Sequence, residues 1–133
     1  MSEDIFRISK NQVRAKSLLV MAKERLEDIK RETKTYKIIE EYYEIIKEVN
    51  TSLMYLDGFK TLSHKLLIEY LFKNYGKFFN GEEFGLMDEL RVLRNNILYY
   101  GQKVEPIFLK NKEQKIKIII KKLITLCGNK LKN

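Results

Sequence analysis

The chain has 133 residues, enough for one domain with a hydrophobic core that needs no disulfide or metal to stabilise it. Hydrophobic residues make up 44% and charged residues 33%, a composition that excludes a disordered chain. Most of the net charge of +8 comes from residues 102–133, which contain nine lysines and two glutamates. This basic surplus could bind phosphate backbones or form a solvated helix face.

Two long helices are predicted at the start of the chain. The first runs from about Glu3 to Arg31 and the second ends at Asp57–Gly58, with the polar break "RETKT" between them. In both, apolar residues recur at alternating steps of three and four, which is typical of one buried helix face and suits antiparallel packing. These residues are Ile8, Ala15, Leu18, Leu19, Ala22, Leu26 and Ile29, then Ile39, Tyr42, Ile46, Val49, Leu53 and Leu56.

Three further helices follow. The third is predicted from about Thr61–Ser63 to Gly76, and the fourth from about Glu82 to Gly101. Pro106 falls in the next connection, and the last helix runs from about Asn111 to Leu131, with an apolar face of Ile116, Ile120, Leu123 and Cys127. No strand pattern competes, and helix-breaking glycine and proline are scarce. The sequence therefore predicts a single all-α domain over residues 1–133, an up-and-down bundle of four to five helices.

Several classes of protein are disfavoured by local sequence. The first residues, "MSEDIFRISKNQ", carry acids where a secretory signal needs a basic start and an apolar run. The most apolar stretch, "IKIIIKKLITLC", is too short and too rich in lysine to span a bilayer. Cys127 is the single cysteine, which excludes an internal disulfide and a cysteine zinc cage, and with His64 as the single histidine a metal-based mechanism is disfavoured. We expect a cytoplasmic protein without membrane contact, metal or cofactor.

The stretch "RVLRNNILYYG" places an arginine and two asparagines inside the fourth helix, although asparagine is a poor helix-interior residue. On a helical wheel Arg94 lies between two flanks. The core flank contains Leu86, Leu90, Leu93 and Ile97, and the other contains Phe84, Met87 and Leu98 with Arg91 and Asn95. The second flank requires a partner, and the simplest is a second copy across a two-fold axis, with Phe84, Met87 and Leu98 buried at the dimer contact. Alternatively, Arg94 extends from the bundle edge into solvent.

The stretch Arg94-Asn95-Asn96-Ile97-Leu98-Tyr99 resembles the motif of HEPN domains. In that motif an arginine, a polar residue, three more positions and then a histidine lie near the C-terminal end of the fourth helix of a small bundle. Here Tyr99 stands in the place of the histidine. The segment "GFKTLSHKLLIEYLFKNY", from Gly58 to Tyr75, also resembles the third-helix region of prokaryotic HEPN proteins.

This resemblance implies a homodimer whose two motif helices meet in a cleft. Many HEPN proteins are metal-independent endoribonucleases, in which the arginine and the histidine promote attack of a ribose 2′-hydroxyl on the neighbouring phosphate. Many are paired with a minimal nucleotidyltransferase as a toxin–antitoxin couple. By this resemblance Arg94 is the phosphate-binding cation, and Asn95 orients the motif. Arg91, Lys121 and Lys122 are further candidates for contact with nucleic acid.

The substitution at Tyr99 decides between binding and catalysis. A phenol with an ordinary pKa of about 10 is a poor base at pH 7, whereas an imidazole titrates near neutrality. We therefore favour a dimeric RNA- or nucleotide-binding protein with a degenerate ribonuclease motif, paired with a nucleotidyltransferase. An active endoribonuclease that uses Tyr99 or His64 as the base is an alternative, and a non-catalytic adaptor that binds only a protein is another.

Overall fold

Five α-helices and one small antiparallel sheet make up the computed structural model, which describes residues 4–132. This architecture confirms the predicted all-α bundle. Within the described residues, no helix is long and apolar enough to cross a lipid bilayer. In chain order the elements are β1 (Ile5–Arg7), α1 (Gln12–Ile29), α2 (Thr35–Asp57), β2 (Phe59–Thr61), α3 (His64–Tyr75), a 3₁₀ turn (Gly76–Phe78), α4 (Gly81–Tyr100) and α5 (Pro106–Lys132).

The helices α1 and α2 pack against each other as an antiparallel hairpin. Towards one end, Ser52 Oγ donates to the backbone carbonyl of Ala15 at 2.7 Å. Towards the other, Arg25 Nη1 donates to Glu41 Oε1 at 3.0 Å. Most of the predicted apolar faces are buried, at Ala15, Leu19, Ala22 and Ile29 of α1 and at Ile39, Tyr42, Ile46, Val49, Leu53 and Leu56 of α2. Leu18 and Leu26 of the predicted α1 face are only partly buried, and Ile8 lies before the helix. Because α2 also contacts α3, α4 and α5, it is the central helix of the bundle.

The prediction that no strands are present, with a helix from about Glu3, was wrong. Glu3 itself lies outside the described residues, but Ile5–Arg7 form a strand that pairs antiparallel with Phe59–Thr61. The first helix begins only at Gln12, after Asn11 caps it by accepting a hydrogen bond from Arg14 N at 2.9 Å. Strands of three residues are too short to show an alternating pattern in the sequence. In addition, β1 precedes α1 and β2 follows α2, so the whole helical hairpin separates the two strands along the chain.

Gly58 allows α2 to turn directly into β2. It ends the helix in the left-handed conformation, at φ +88°, and its carbonyl accepts a hydrogen bond from Ile8 N at 2.8 Å. A Cβ atom at this position would lie 3.2 Å from the Ile8 carbonyl oxygen. Glycine therefore fits both the backbone conformation and the close approach of the strand that precedes α1.

The later helices agree with their predicted bounds except for α5. Asn80 and Glu83 form a capping box at the start of α4, and Gly101 ends that helix at φ +62°. Pro106, predicted in a connection, is instead the first residue of α5, so this helix begins five residues before Asn111. Proline is well suited to that position because its fixed φ is helical and its missing N–H would have no helical partner there. The predicted face of α5 is buried at Ile116, Ile120, Leu123 and Cys127.

Asp57 joins the ends of α2 and α5 to α3. Its Oδ2 accepts hydrogen bonds from Tyr70 at 2.7 Å and Tyr75 at 2.6 Å, and Lys130 Nζ lies 2.9 Å from Oδ1. Burial alone would raise the pKa of Asp57, but the hydrogen bonds from Tyr75, Tyr70 and Lys130 outweigh burial and lower this pKa below its ordinary value. The ionised carboxylate therefore stabilises the fold.

Replacing Asp57 with alanine is expected to lower the free energy of unfolding by about 2–4 kcal/mol, because two largely buried hydroxyls lose a charged acceptor. Since the folded pKa is depressed, this contribution is fully present above the unfolded pKa of about 3.9 and is lost as the pH falls through the folded pKa. Urea denaturation of both proteins at neutral and acidic pH measures the difference. Asp28→Ala, which removes only an exposed ion pair with Arg31, is the control. An equal loss in the two variants would contradict the role of Asp57.

Candidate functional site

Arg94 lies on α4, with its side chain 18% exposed, and faces α2. Its Nη2 donates a long hydrogen bond of 3.4 Å to Glu44 Oε1, and its guanidinium carbon lies 5.9 Å from the ring centre of Tyr43. Among the described residues this is its only side-chain hydrogen bond. A guanidinium has five N–H donors in a planar fork, so most of them are available to another group.

His64 lies beside the same tyrosine ring. It is the first residue of α3, after Ser63, whose Oγ caps the helix by accepting from Leu66 N at 3.1 Å. The ring centres of His64 and Tyr43 are 5.8 Å apart, with an angle of 46° between the planes. Tyr43 therefore contacts both His64 and Arg94. The fold thus brings the single histidine of the chain to the motif arginine.

Further charged side chains surround these two residues. Arg91 Nε donates to Asp88 Oδ1 at 2.8 Å on α4, and Lys47 Nζ lies 2.6 Å from Glu44 Oε2 on α2. Lys47 and Arg91 are therefore each held by a carboxylate at short distance, whereas the contact of Arg94 with Glu44 is long. We refer to these residues together as the Arg94 cluster, which comprises Tyr43, Glu44, Lys47, His64, Asp88, Arg91 and Arg94.

The surroundings of His64 keep its imidazole neutral at pH 7. Burial lowers the pKa of His64, and the positive charges of Lys47 and Arg94 lower it further, against an opposing effect of Glu44. Its position at the start of a helix also disfavours a positive charge. A neutral imidazole has one ring nitrogen that can accept a proton or a hydrogen bond.

Glu44 is ionised at neutral pH although it is half-buried. Burial alone would raise the pKa of Glu44, but the hydrogen bond from Lys47 and the charges of Lys47, Arg94 and Arg25 outweigh burial and lower it. The carboxylate therefore holds Lys47 and Arg94 in place by charge. The distance from Glu44 to Arg94, 3.4 Å, is longer than the distance to Lys47, 2.6 Å, so Arg94 is the more weakly bound of the two cations.

Two buried polar side chains of α2 have no hydrogen-bond partner among the described residues. Tyr43 is 1% exposed, and burial raises the pKa of its hydroxyl, so the hydroxyl remains protonated. Asn50 is 2% exposed and lies two turns further along the same side of α2, and neither atom of its amide is paired. Folded proteins contain few such groups. This side of α2 therefore retains hydrogen-bonding capacity that water or a ligand can satisfy.

The other residues of the motif do not join the Arg94 cluster. Asn95 is partly exposed and lies towards the C-terminal end of α4. Tyr99 is 69% exposed. On an ideal helix a residue five positions after Arg94 is rotated by about 140° and displaced by about 7.5 Å along the axis. Within one chain, Arg94 and Tyr99 therefore face different surroundings.

The second apolar flank predicted for α4 is mostly covered within the chain. Met87 is fully buried, and Phe84 is 8% exposed, with its ring packed edge-on against Phe72 of α3 at 4.7 Å. The expectation that these two side chains need a second copy of the chain to cover them was wrong, because α3 packs against that side of α4. Leu98 is 51% exposed and is the one member of the three that reaches the surface.

The two lysines predicted to contact nucleic acid lie apart from the cluster. Lys122 Nζ is 2.9 Å from both carboxylate oxygens of Glu83 and 5.7 Å from the ring centre of Phe79. Lys121 is exposed on the wall of a groove between α1 and α5. Glu83 is eleven residues before Arg94, about 16 Å along α4, so Lys122 is held at the other end of that helix. Within one chain, Lys121 and Lys122 therefore lie away from Arg94.

Four members of the cluster, Tyr43, Glu44, Lys47 and Asp88, were not singled out from the sequence. No pattern in the sequence marked them. In the structure, α2 has no exposed residue after Lys37, so the charges of Glu44 and Lys47 must face a polar partner. The sequence does not reveal which other helices supply that partner.

Among residues 4–132, no three histidine, cysteine, aspartate or glutamate side chains converge to hold a metal ion. Comparison of the chain with models of known protein families, with curated proteins and with solved structures found no match.

Proposed function

We propose that the protein is a HEPN-like RNA- or nucleotide-binding protein whose Arg94 cluster holds a phosphate group. The observation that carries this proposal is that Arg94, with a single long side-chain hydrogen bond, and His64 lie against the same Tyr43 ring. The positive charges of Lys47 and Arg91 act on the same histidine. Arg94 has one long hydrogen bond, so its planar donors are available to two phosphate oxygens at once. Its partial burial strengthens such a contact, because less water screens the charges.

The proposal extends to assembly. The resemblance to HEPN domains implies a homodimer, and a pairing with a minimal nucleotidyltransferase as a toxin–antitoxin-like couple. Leu98 and Tyr99 are both exposed at the C-terminal end of α4 and supply apolar and aromatic surface for a second copy.

Binding of a fluorescein-labelled single-stranded RNA tests the proposal. If three cations each neutralise one phosphate, a plot of log affinity against log salt concentration is expected to have a slope of about −2. Lys47→Gln removes one cation of the cluster and should flatten the slope. Lys121→Gln removes an exposed lysine outside the cluster and should leave it unchanged. Binding that is independent of salt, an absence of binding at low salt, or flattening by Lys121→Gln alone would contradict the proposed site.

Cleavage of the bound RNA is a second candidate function, favoured by the position of His64. Its neutral imidazole could take the proton of a ribose 2′-hydroxyl while the oxygen attacks the adjacent phosphorus. Arg94 would stabilise the negative charge on the phosphoryl oxygens. The 5′-oxygen would then leave with a proton returned from the imidazolium, giving a 2′,3′-cyclic phosphate and a 5′-hydroxyl.

A further inference from the structure

A long groove separates α1 from α5 on another side of the molecule. Its deeper part has a volume of about 900 Å³ and lies between the C-terminal half of α1 and the middle of α5, with the start of α2 beneath it. A shallower part of about 490 Å³ continues from Lys23 towards the start of α1 and the end of α5. The two parts share Lys23 and together follow α1 from Gln12 to Ile29, about 27 Å for 18 helical residues.

The floor and the lower walls of the groove are apolar. Leu26, Ile38 and Ile124 are only partly covered, although each packs against the buried core. In the shallower part, Val13 is 80% exposed and Val20 is 46% exposed. These two valines are seven residues apart and so lie on the same side of α1, about 120–140° around the helix from Leu26. The apolar floor therefore belongs to the deeper part, and the shallower part adds two exposed valines on the outer side of its α1 wall.

The rim of the groove is positive, because it carries six lysines and three glutamates, and most of the lysines have no carboxylate partner. Glu27 pairs with Lys30 at 2.9 Å, Glu113 accepts from the Tyr42 hydroxyl at 2.6 Å, and Glu32 accepts from two backbone amides in its own loop. Among the described residues, five exposed lysines of the rim have no carboxylate within ion-pair distance. They are Lys16 and Lys23 on α1 and Lys117, Lys121 and Lys132 on α5.

We propose that this groove binds an acidic amphipathic helix of a partner protein. Both α1 and α5 pack on α2 but contact each other much less, which leaves a channel with helical walls. An amphipathic helix would place its apolar stripe on Leu26, Ile38 and Ile124 and its flanking carboxylates against the lysines of both walls. Such a helix buries apolar surface and pairs charges at the same time.

The form of the groove favours this partner over two others. The phosphates of an RNA strand would pair with the rim lysines, but its sugars and phosphates would gain nothing from an aliphatic floor. A membrane surface is flat, whereas the apolar floor lies between two walls that carry the lysines. The groove shares no residue with the Arg94 cluster. The proposal of RNA binding and the proposal of helix binding can therefore be tested independently.

A designed peptide probes the groove directly. The probe is an 18-residue fluorescein-labelled peptide with leucines at helical three-four spacing and glutamates on both flanks, and a scrambled peptide of the same composition is its control. Fluorescence anisotropy is expected to show binding of the amphipathic peptide at least tenfold tighter than that of the scrambled one. Equal binding of the two peptides would show charge attraction alone and would overturn the proposal, as would an absence of binding.

Charge reversal locates the binding site. Lys117→Glu with Lys121→Glu is expected to weaken binding of the peptide at least tenfold, and Val20→Ser should weaken it without any change of charge. Lys60→Glu with Lys73→Glu makes the same change of charge at exposed lysines outside the groove and should have little effect. Circular dichroism confirms that each variant is folded, and Lys117→Gln is a milder second variant. Equal losses in the two double variants, or groove-dependent binding of anionic vesicles, single-stranded RNA or a second copy of the chain in place of the peptide, would overturn the proposal.

Discussion

Replacing Arg94 with alanine is expected to weaken the binding of single-stranded RNA by about 10- to 100-fold at low salt. A charge-assisted hydrogen bond contributes about 1.5–3 kcal/mol, which corresponds to one to two factors of ten in affinity. Arg94→Lys should lie between alanine and the wild type, because lysine keeps the charge but cannot bind two phosphate oxygens in one plane. Anisotropy titrations with the same labelled RNA measure all three proteins.

The matched control for this experiment is Arg31→Ala. Arg31 is an exposed arginine paired with Asp28, so its replacement makes the same change of net charge away from the cluster. A change in global charge alone would weaken RNA binding equally in the two variants, and that result would contradict the assignment of the phosphate site. The side chain of Arg94 is largely buried, so circular dichroism of Arg94→Ala and Arg94→Lys is needed to confirm that both variants are folded.

The bundle could be predicted because its helices carry their own signals. The three-four spacing in α1 and α2 fixes which faces are buried, and Gly58 and Gly101 both end helices in the left-handed conformation. The strand pair could not be predicted, because its stability depends on contact between segments more than fifty residues apart. Pro106 was misplaced because proline is equally common in a connection and at the first position of a helix.

Only part of the candidate site could be predicted from the sequence. Arg94 could be singled out because a charged residue between two apolar flanks of one helix is a local pattern. His64 and Tyr43 belong to other helices, and only the packing of α2, α3 and α4 brings them to Arg94. The two-flank pattern itself misled the prediction for Met87, because an apolar flank indicates burial but does not reveal whether α3 or a second chain supplies the cover.

Metal-independent cleavage of bound RNA is expected to require His64 and not Tyr99. Removal of a positioned general base typically lowers a rate by about 10²–10⁴-fold, and His64 lies in the cluster that would hold the phosphate. The lowered pKa of His64 implies that the rate reaches its plateau at a lower pH than an ordinary histidine would give, since the neutral form is the base. The measurement is the rate of RNA cleavage in EDTA, as a function of pH, for the wild type and for His64→Ala.

Tyr99→Phe is the matched variant, because it removes a hydroxyl from an exposed ring that lies outside the cluster within one chain. The single substitution Tyr99→Phe is expected to leave the rate unchanged, whereas Arg94→Ala should lower it by removing the stabilisation of negative charge on the phosphate. Cleavage lost in Tyr99→Phe but retained in His64→Ala would contradict the role of His64 and place the base on the motif helix. If the wild-type protein binds RNA through Arg94 but does not cleave it in EDTA, the cluster is a binding site without catalytic activity.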